Sequence, residues 1–142
     1  MATRHRELVE ELEAALGHEE AVRLGREALF GVGESLGKRT RQMLGVGDNP
    51  RDLTQAAEIL YRVLGIKFHL NWLGDSSAEL IVDECALAKQ YTKLTCEVLC
   101  ATDEGVIKGL QPNCSMKFKM YMTGGCEKCH ADITFGKKEE TA

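Results

Sequence analysis

The hydrophobic period of this chain changes at Gly65, from the helical repeat of about 3.6 residues to the strand repeat of about 2, and this switch restricts the fold more than any other feature. Before it, Leu8, Leu12, Ala15 and Leu16 recur among acidic residues at helical spacing, which predicts an amphipathic helix over Thr3–Leu16 ended by Gly17. A longer helix is expected from about Glu19 to Leu44, with Val22, Gly25, Leu29, Val32 and Leu36 as its core stripe. Its glycines at 25, 31, 33 and 37 each weaken an isolated helix by about 1 kcal/mol, so they point to close helix contact or a bend. Gly45 to Pro50 is a dense turn signal, after which Asn49 or Asp52 caps a third helix reaching about Leu64.

Beyond Gly65 the apolar residues Ile66, Phe68, Leu70 and Trp72 alternate with Lys67, His69 and Asn71, and a turn at Gly74 to Ser77 leads to a return strand over Ala78–Glu84. A fourth helix fits Tyr91 to about Leu110 and is broken by Gln111-Pro112-Asn113. Cys114, Met116, Phe118, Met120 and Met122 then alternate with polar residues, and Cys129, Ala131, Ile133 and Phe135 repeat the pattern after a turn at Thr123 to Lys128. Three helices, a hairpin, a helix and a second hairpin define an α+β class, with the helices packed on an antiparallel sheet of about four strands. Residues 1–135 are expected to form one domain and 136–142 a charged tail.

With 142 residues, 44% of them hydrophobic, the chain can bury a core without disulfide staples. Eighteen Lys and Arg against 22 Asp and Glu give a net charge of −4, which argues against nucleic acid or an anionic membrane surface as a partner. No apolar run is long enough to span a membrane and the N-terminal stretch lacks the apolar centre of a secretion signal, so a cytoplasmic location is expected. Gly33-Glu-Ser-Leu-Gly37-Lys38 imitates a phosphate loop, but Val32 stands where the first glycine is needed, Arg39 replaces the metal-binding hydroxyl, and the segment lies within a helix. No Ser/His/Asp arrangement supports acyl transfer.

All six cysteines fall between Cys85 and Cys129. In a reducing compartment such clustering points to metal ligands, reactive thiols or small buried side chains rather than disulfides. Cys126-Glu-Lys-Cys129 is a C-x-x-C preceded by two glycines, a geometry in which two sulfurs can converge on one ion. Cys96 and Cys100 are four apart and share a helix face. Cys85 ends its strand just before that helix, whereas antiparallel pairing sends Cys114 to the far end of the second hairpin, away from Cys126 and Cys129. A thiolate site can therefore draw on Cys85, on Cys96 or Cys100 or both, and on the Cys126/Cys129 turn. Counting cysteines does not separate zinc from an iron–sulfur cluster. Met116, Met120 and Met122 with Phe118 give one strand face an adaptable lining, suited to an apolar pocket or to an ordinary core.

The hairpin ending Asp83-Glu-Cys85-Ala-Leu-Ala88, the helix segment Leu99-Cys100-Ala-Thr-Asp103 and the final Gly125-Cys-Glu-Lys-Cys129-His-Ala-Asp-Ile133 resemble the 4-vinyl-reductase-like, putative hydrocarbon-binding superfamily over roughly Asp52 to Phe135. Its relatives include methanogen output domains and an aminothiazoline-carboxylate hydrolase-like branch. The resemblance implies a fold shared with vesicle-transport particle subunits and haem-dependent nitric-oxide sensors. It also implies an apolar pocket between helices and sheet, to which Phe68, Trp72, Met116, Phe118 and Met120 would contribute, and a cysteine-bound metal, usually zinc, beside it. By position Cys85, Cys100 and Cys129 match the family's cysteines, with Cys126 as the fourth ligand and Cys96 as an additional candidate. Ala86 stands where a proline commonly follows the first cysteine, and the stretch Lys117 to Tyr121 replaces the acidic residue and cysteine of sensor-type relatives.

The expectation is thus a zinc-containing ligand-binding or sensor domain for a small hydrophobic molecule, assembled as a homodimer. The alternatives are a metal-dependent hydrolase, an iron–sulfur redox sensor, and an interaction module whose glycine-rich helix face is its working surface.

Overall fold

A computed structural model of the chain describes residues 2–63, 65–86, 91–120 and 129–136. Helix α1 spans Ala2–Leu16, α2 His18–Leu44 and α3 Pro50–Val63; strands β1 (Ile66–Trp72) and β2 (Ser77–Cys85) follow, then α4 (Lys93–Leu110), β3 (Cys114–Met120) and β4 (Cys129–Phe135). The α+β class expected from the sequence is the observed one. The sheet order is β1-β2-β4-β3 with every neighbouring pair antiparallel, so two hairpins meet along β2 and β4. Leu64, Met122, the turn from Thr123 to Lys128 and the tail beyond Gly136 lie outside the described residues.

The punctuation works as the local chemistry requires. Gly45 ends α2 in the left-handed region at φ 63°, where a side chain would be strained. Asn49 is the cap of α3: its side-chain oxygen accepts from the Asp52 amide at 2.9 Å, and Pro50 takes the first helical position, where no amide donor is needed. Asp52 instead ties down the incoming turn, accepting from the Gly47 amide at 2.9 Å. Thr92 caps α4 by accepting from Thr95 N at 3.2 Å.

One sheet face is polar. On it Lys119 donates to Glu79 at 2.7 Å and to Asp132 at 2.9 Å, and His69 meets Asp83 at 2.6 Å across β1 and β2. The other face carries Ala78, Leu80, Val82, Met116, Ala131 and Ile133 against Leu53, Ala57 and Tyr61 of α3 and Val106, Ile107 and Leu110 of α4. Helix α4 has buried residues on most of its circumference because α2 covers the side turned away from the sheet.

The α2–α4 contact corrects the expected core stripe. Val32 is 59% exposed and Leu36 42%, while Gly33 and Gly37 are buried. A Cβ at Gly33 would fall on the Thr102 carbonyl oxygen and one at Gly37 on that of Val106; from the other side, Gly105 and Gly109 of α4 face the carbonyls of Phe30 and Glu34. Backbone lies on backbone, so the glycine face outcompetes the larger apolar face for the interior. It is occupied within the chain and is not the exposed working surface that an interaction module would need.

Candidate functional site

Between α4 and the sheet lies a cavity of about 260 Å³. Its floor comes from alternate residues of the strands, Phe68 of β1, Leu80 and Val82 of β2, and Met116 and Phe118 of β3. Cross-strand register explains why they converge: Phe68 pairs with Val82, which on its other side pairs with Cys129, so one row of side chains crosses three strands. Leu99 and Cys100 come down from α4, Tyr61 enters from α3, and His5 with Tyr91 closes an edge through a 2.9 Å contact between the histidine Nδ1 and the phenol oxygen. Tyr61 and Phe68 meet edge to face at 5.7 Å.

Cys85, Cys96, Cys100 and Cys129 all line this cavity, although they come from two strands and a helix. No disulfide joins any two of the five described cysteines. Among the described residues no group of three or more His, Cys, Asp or Glu side chains is arranged to hold a metal ion. Cys100 is buried and engaged elsewhere: the Arg26 guanidinium donates to its sulfur at 3.1 Å, and the thiol donates to the Glu97 carbonyl at 3.3 Å. Cys126 lies outside the described residues. Cys114 sits opposite Phe135 at the far end of its hairpin, as the pairing argument required; it donates to Gln111 Oε1 at 3.2 Å, and burial pushes its pKa to about 11, so it is an inert thiol.

Of the apolar residues expected in the pocket, Phe68, Met116 and Phe118 are there. Trp72 is not: two residues beyond Leu70 along β1, it is carried past the cavity and stacks on Phe135 with ring centres 5.3 Å apart, half exposed. The Met120 side chain lies outside what is described. Two polar residues that sequence reasoning did not assign to the pocket, Tyr61 and Asp103, also line it. Asp103 follows Cys96 and Cys100 at helical spacing, a signal sufficient to place it on the same face; Tyr61 has no such signal, because its place depends on how α3 docks.

Asp103 is half-buried by area but walled by apolar atoms, and burial raises its pKa from 3.8 to about 6; the neighbouring Tyr61 hydroxyl opposes that rise and the Glu104 charge adds to it. Tyr61 is buried, and burial with the Asp103 charge raises its own pKa well above the ordinary phenol value. The Tyr61 hydroxyl acts on the Asp103 carboxyl as a hydrogen-bond donor, in a contact outside strict geometry, and has no other partner among the described residues.

A carboxyl with a raised pKa costs stability once ionised. Well below the unfolded pKa of 3.8 both folded and unfolded chains hold the proton and there is no penalty; as pH rises through 3.8 to about 6 stability falls, and above that range the penalty is constant. Asp103→Asn is therefore expected to stabilise the ligand-free protein by about 1–2 kcal/mol at pH 8 and by almost nothing at about pH 3. Urea unfolding at the two pH values checks this; an equal effect at both removes the carboxylate from the explanation.

A helix-roofed antiparallel sheet with an apolar cavity beneath α4 defines the class as an α+β domain with a hollow between helix and sheet. The L-2-amino-thiazoline-4-carboxylic acid hydrolase family matches residues 2–132, and the chain belongs to that family. No curated protein matches it. Among solved structures it is similar to a trafficking protein particle complex subunit 3 from Naegleria fowleri covalently bound to palmitic acid, with a TM-score of 0.57 and 12% identity over 94% of this chain and 96% of that one. It is also similar to the phenol-responsive sensory domain of the transcription activator PoxR with phenol, with a TM-score of 0.65 and 16% identity over 94% of this chain and 74% of that one. At those identities the likeness establishes the fold. No helix among the described residues is long and apolar enough to cross a membrane.

Proposed function

We propose that this chain is a small-molecule-binding domain of the sensor type, which takes a compact hydrophobic ligand into the cavity between α4 and the sheet. The cavity itself carries the reading: about 260 Å³ of space walled by Phe68, Leu80, Val82, Leu99, Met116 and Phe118, with few polar groups. An apolar cavity of roughly 150 Å³ is enough to hold benzene, and drug-sized ligands need roughly 300–1,000 Å³, so a single ring with a short substituent fits better than a long chain. The phenol and palmitic acid named with the two structural neighbours support the hydrophobic class. Titration with toluene in a calorimeter is expected to give saturable one-to-one binding, weakened at least about tenfold in Leu99→Trp, which fills the cavity. A folded protein that shows no saturable binding would sink the proposal.

Zinc belongs to the same proposal, held by Cys85, Cys100 and Cys129 with Cys126, and with Cys96 as the reserve donor. Its support is that four of these five thiols line one cavity. Elemental analysis is expected to find about one zinc per chain, lost in Cys129→Ser; iron with sulfide would substitute a cluster, and neither metal would leave the binding function without it. Pairing of two copies through Val32, Leu36 and Met43, apolar and exposed on α2, completes the reading, and sedimentation velocity checks it. Family membership favours a second reading, hydrolysis of a thiazoline-type ring, which requires turnover of L-2-amino-thiazoline-4-carboxylic acid by the purified protein.

A further inference from the structure

The polar end of the cavity is unbalanced in charge. Tyr61 is 6% exposed, and the Asp103 carboxyl is the one group its hydroxyl bonds to among the described residues, through a contact outside strict hydrogen-bond geometry. Beside it the Asp103 carboxyl is acted on by Tyr61 and by another acid, Glu104, with no basic side chain facing it among the described residues. Arg26 could have supplied the positive charge, but its guanidinium is held by Glu104 at 2.6 Å, by the Cys100 sulfur at 3.1 Å and by the Glu97 carbonyl. Among the described residues no Lys or Arg lines the cavity, and its one imidazole, His5, is tied to Tyr91. A carboxylate in an apolar wall whose one donor is a phenol, with no cation beside it, costs free energy until a further donor reaches it.

We propose that Tyr61 and Asp103 are specificity-determining residues, and that they select a ligand whose apolar body ends in a protonated amine and carries no carboxylate. The amine donates to the Asp103 carboxylate and to the Tyr61 oxygen, whose own proton stays turned to Asp103, and so supplies the missing positive charge. A ligand with a carboxylate head meets a like charge there and finds no guanidinium or ammonium group. The inference rests on the pocket being the binding site and goes beyond it: apolar shape alone would accept any ring of the right size, and the family's namesake substrate would be disfavoured through its carboxylate.

Benzylamine, ethylbenzene and phenylacetate share a ring and differ in the head group. Calorimetry at pH 7.5 on the full chain is expected to rank benzylamine about ten- to a hundredfold tighter than ethylbenzene, with phenylacetate weakest. In Asp103→Asn the ratio of the two affinities should fall below about threefold, and Tyr61→Phe should reduce it by about fivefold. Circular dichroism and the thermal midpoint establish that each variant is folded. Equal binding of benzylamine and ethylbenzene, an amine preference that survives Asp103→Asn, or tightest binding of phenylacetate would each overturn the inference and leave the pocket reading standing. Binding of none of the three by the folded protein would overturn both.

Discussion

Gly105→Ala is expected to destabilise the protein by about 3 kcal/mol, which lowers the thermal midpoint by roughly 10 °C in a chain of this size. On an isolated helix the same change would be favourable by about 1 kcal/mol, because alanine is the better helix former. Packing reverses the sign. The new methyl would sit on the Phe30 carbonyl oxygen and 2.9 Å from the Glu34 amide nitrogen, both of them α2 backbone, which cannot rotate away as a side chain would. The helices must then separate along a seam in which Gly33, Gly37 and Gly109 make equally close approaches, so strain at one site is passed to the others. Gly31, on the same helix as Gly33 and Gly37, has nothing within 4 Å of the position a Cβ would take, and Gly31→Ala is expected to be neutral or slightly stabilising. Thermal unfolding of the two variants checks the argument; a Gly105→Ala midpoint within a degree of the parent would show that the seam yields at no cost.

That contrast also marks how far the fold was legible in the sequence. Periodicity located the helices and strands to within a few residues, because a stripe or an alternation is a local property of the chain: Ile66, Phe68 and Leu70 of β1 and Ala131, Ile133 and Phe135 of β4 face inward as their spacing requires. What periodicity could not tell is which of two faces on α2 is buried. Val22, Leu29, Val32 and Leu36 make the more apolar stripe, but only the face with Gly33 and Gly37 allows α4 to approach at backbone distance, and this depends on a partner about 70 residues away that carries matching glycines at 105 and 109. The pocket shows the same division. Its thiols and aromatic residues were marked by clustering and alternation, while Trp72 was misplaced because alternation gives a face but not a position along it. Tyr61 gave no signal, being one apolar residue among several on α3 until the helix docks and brings its hydroxyl against Asp103.

Loss of the Arg26 side chain carries the second large effect. Arg26 of α2 and Glu104 of α4 meet at 2.6 Å, with Glu104 only 9% exposed at its side chain, and the other carboxylate oxygen of Glu104 accepts from the Phe118 amide of β3 at 3.2 Å. One ion pair therefore joins both helices to the strand that floors the cavity. Breaking a buried pair by removing one partner costs about 3–5 kcal/mol, because the remaining charge is stranded; Arg26 itself is 26% exposed at its side chain, so the lower end applies. Arg26→Met is expected to lose about 3 kcal/mol in urea unfolding at pH 7. It should also weaken toluene binding several-fold, since a Glu104 released toward solvent no longer fixes Phe118. The double variant Arg26→Met, Glu104→Gln separates stranded charge from lost packing: it should recover most of the stability, because the introduced amide keeps an acceptor for the Phe118 N–H and carries no charge. If the double variant is as unstable as Arg26→Met alone, the cost lies in the buried Arg26 stem. Glu104 would then be a passive neighbour of the cavity rather than the link that holds its floor in place.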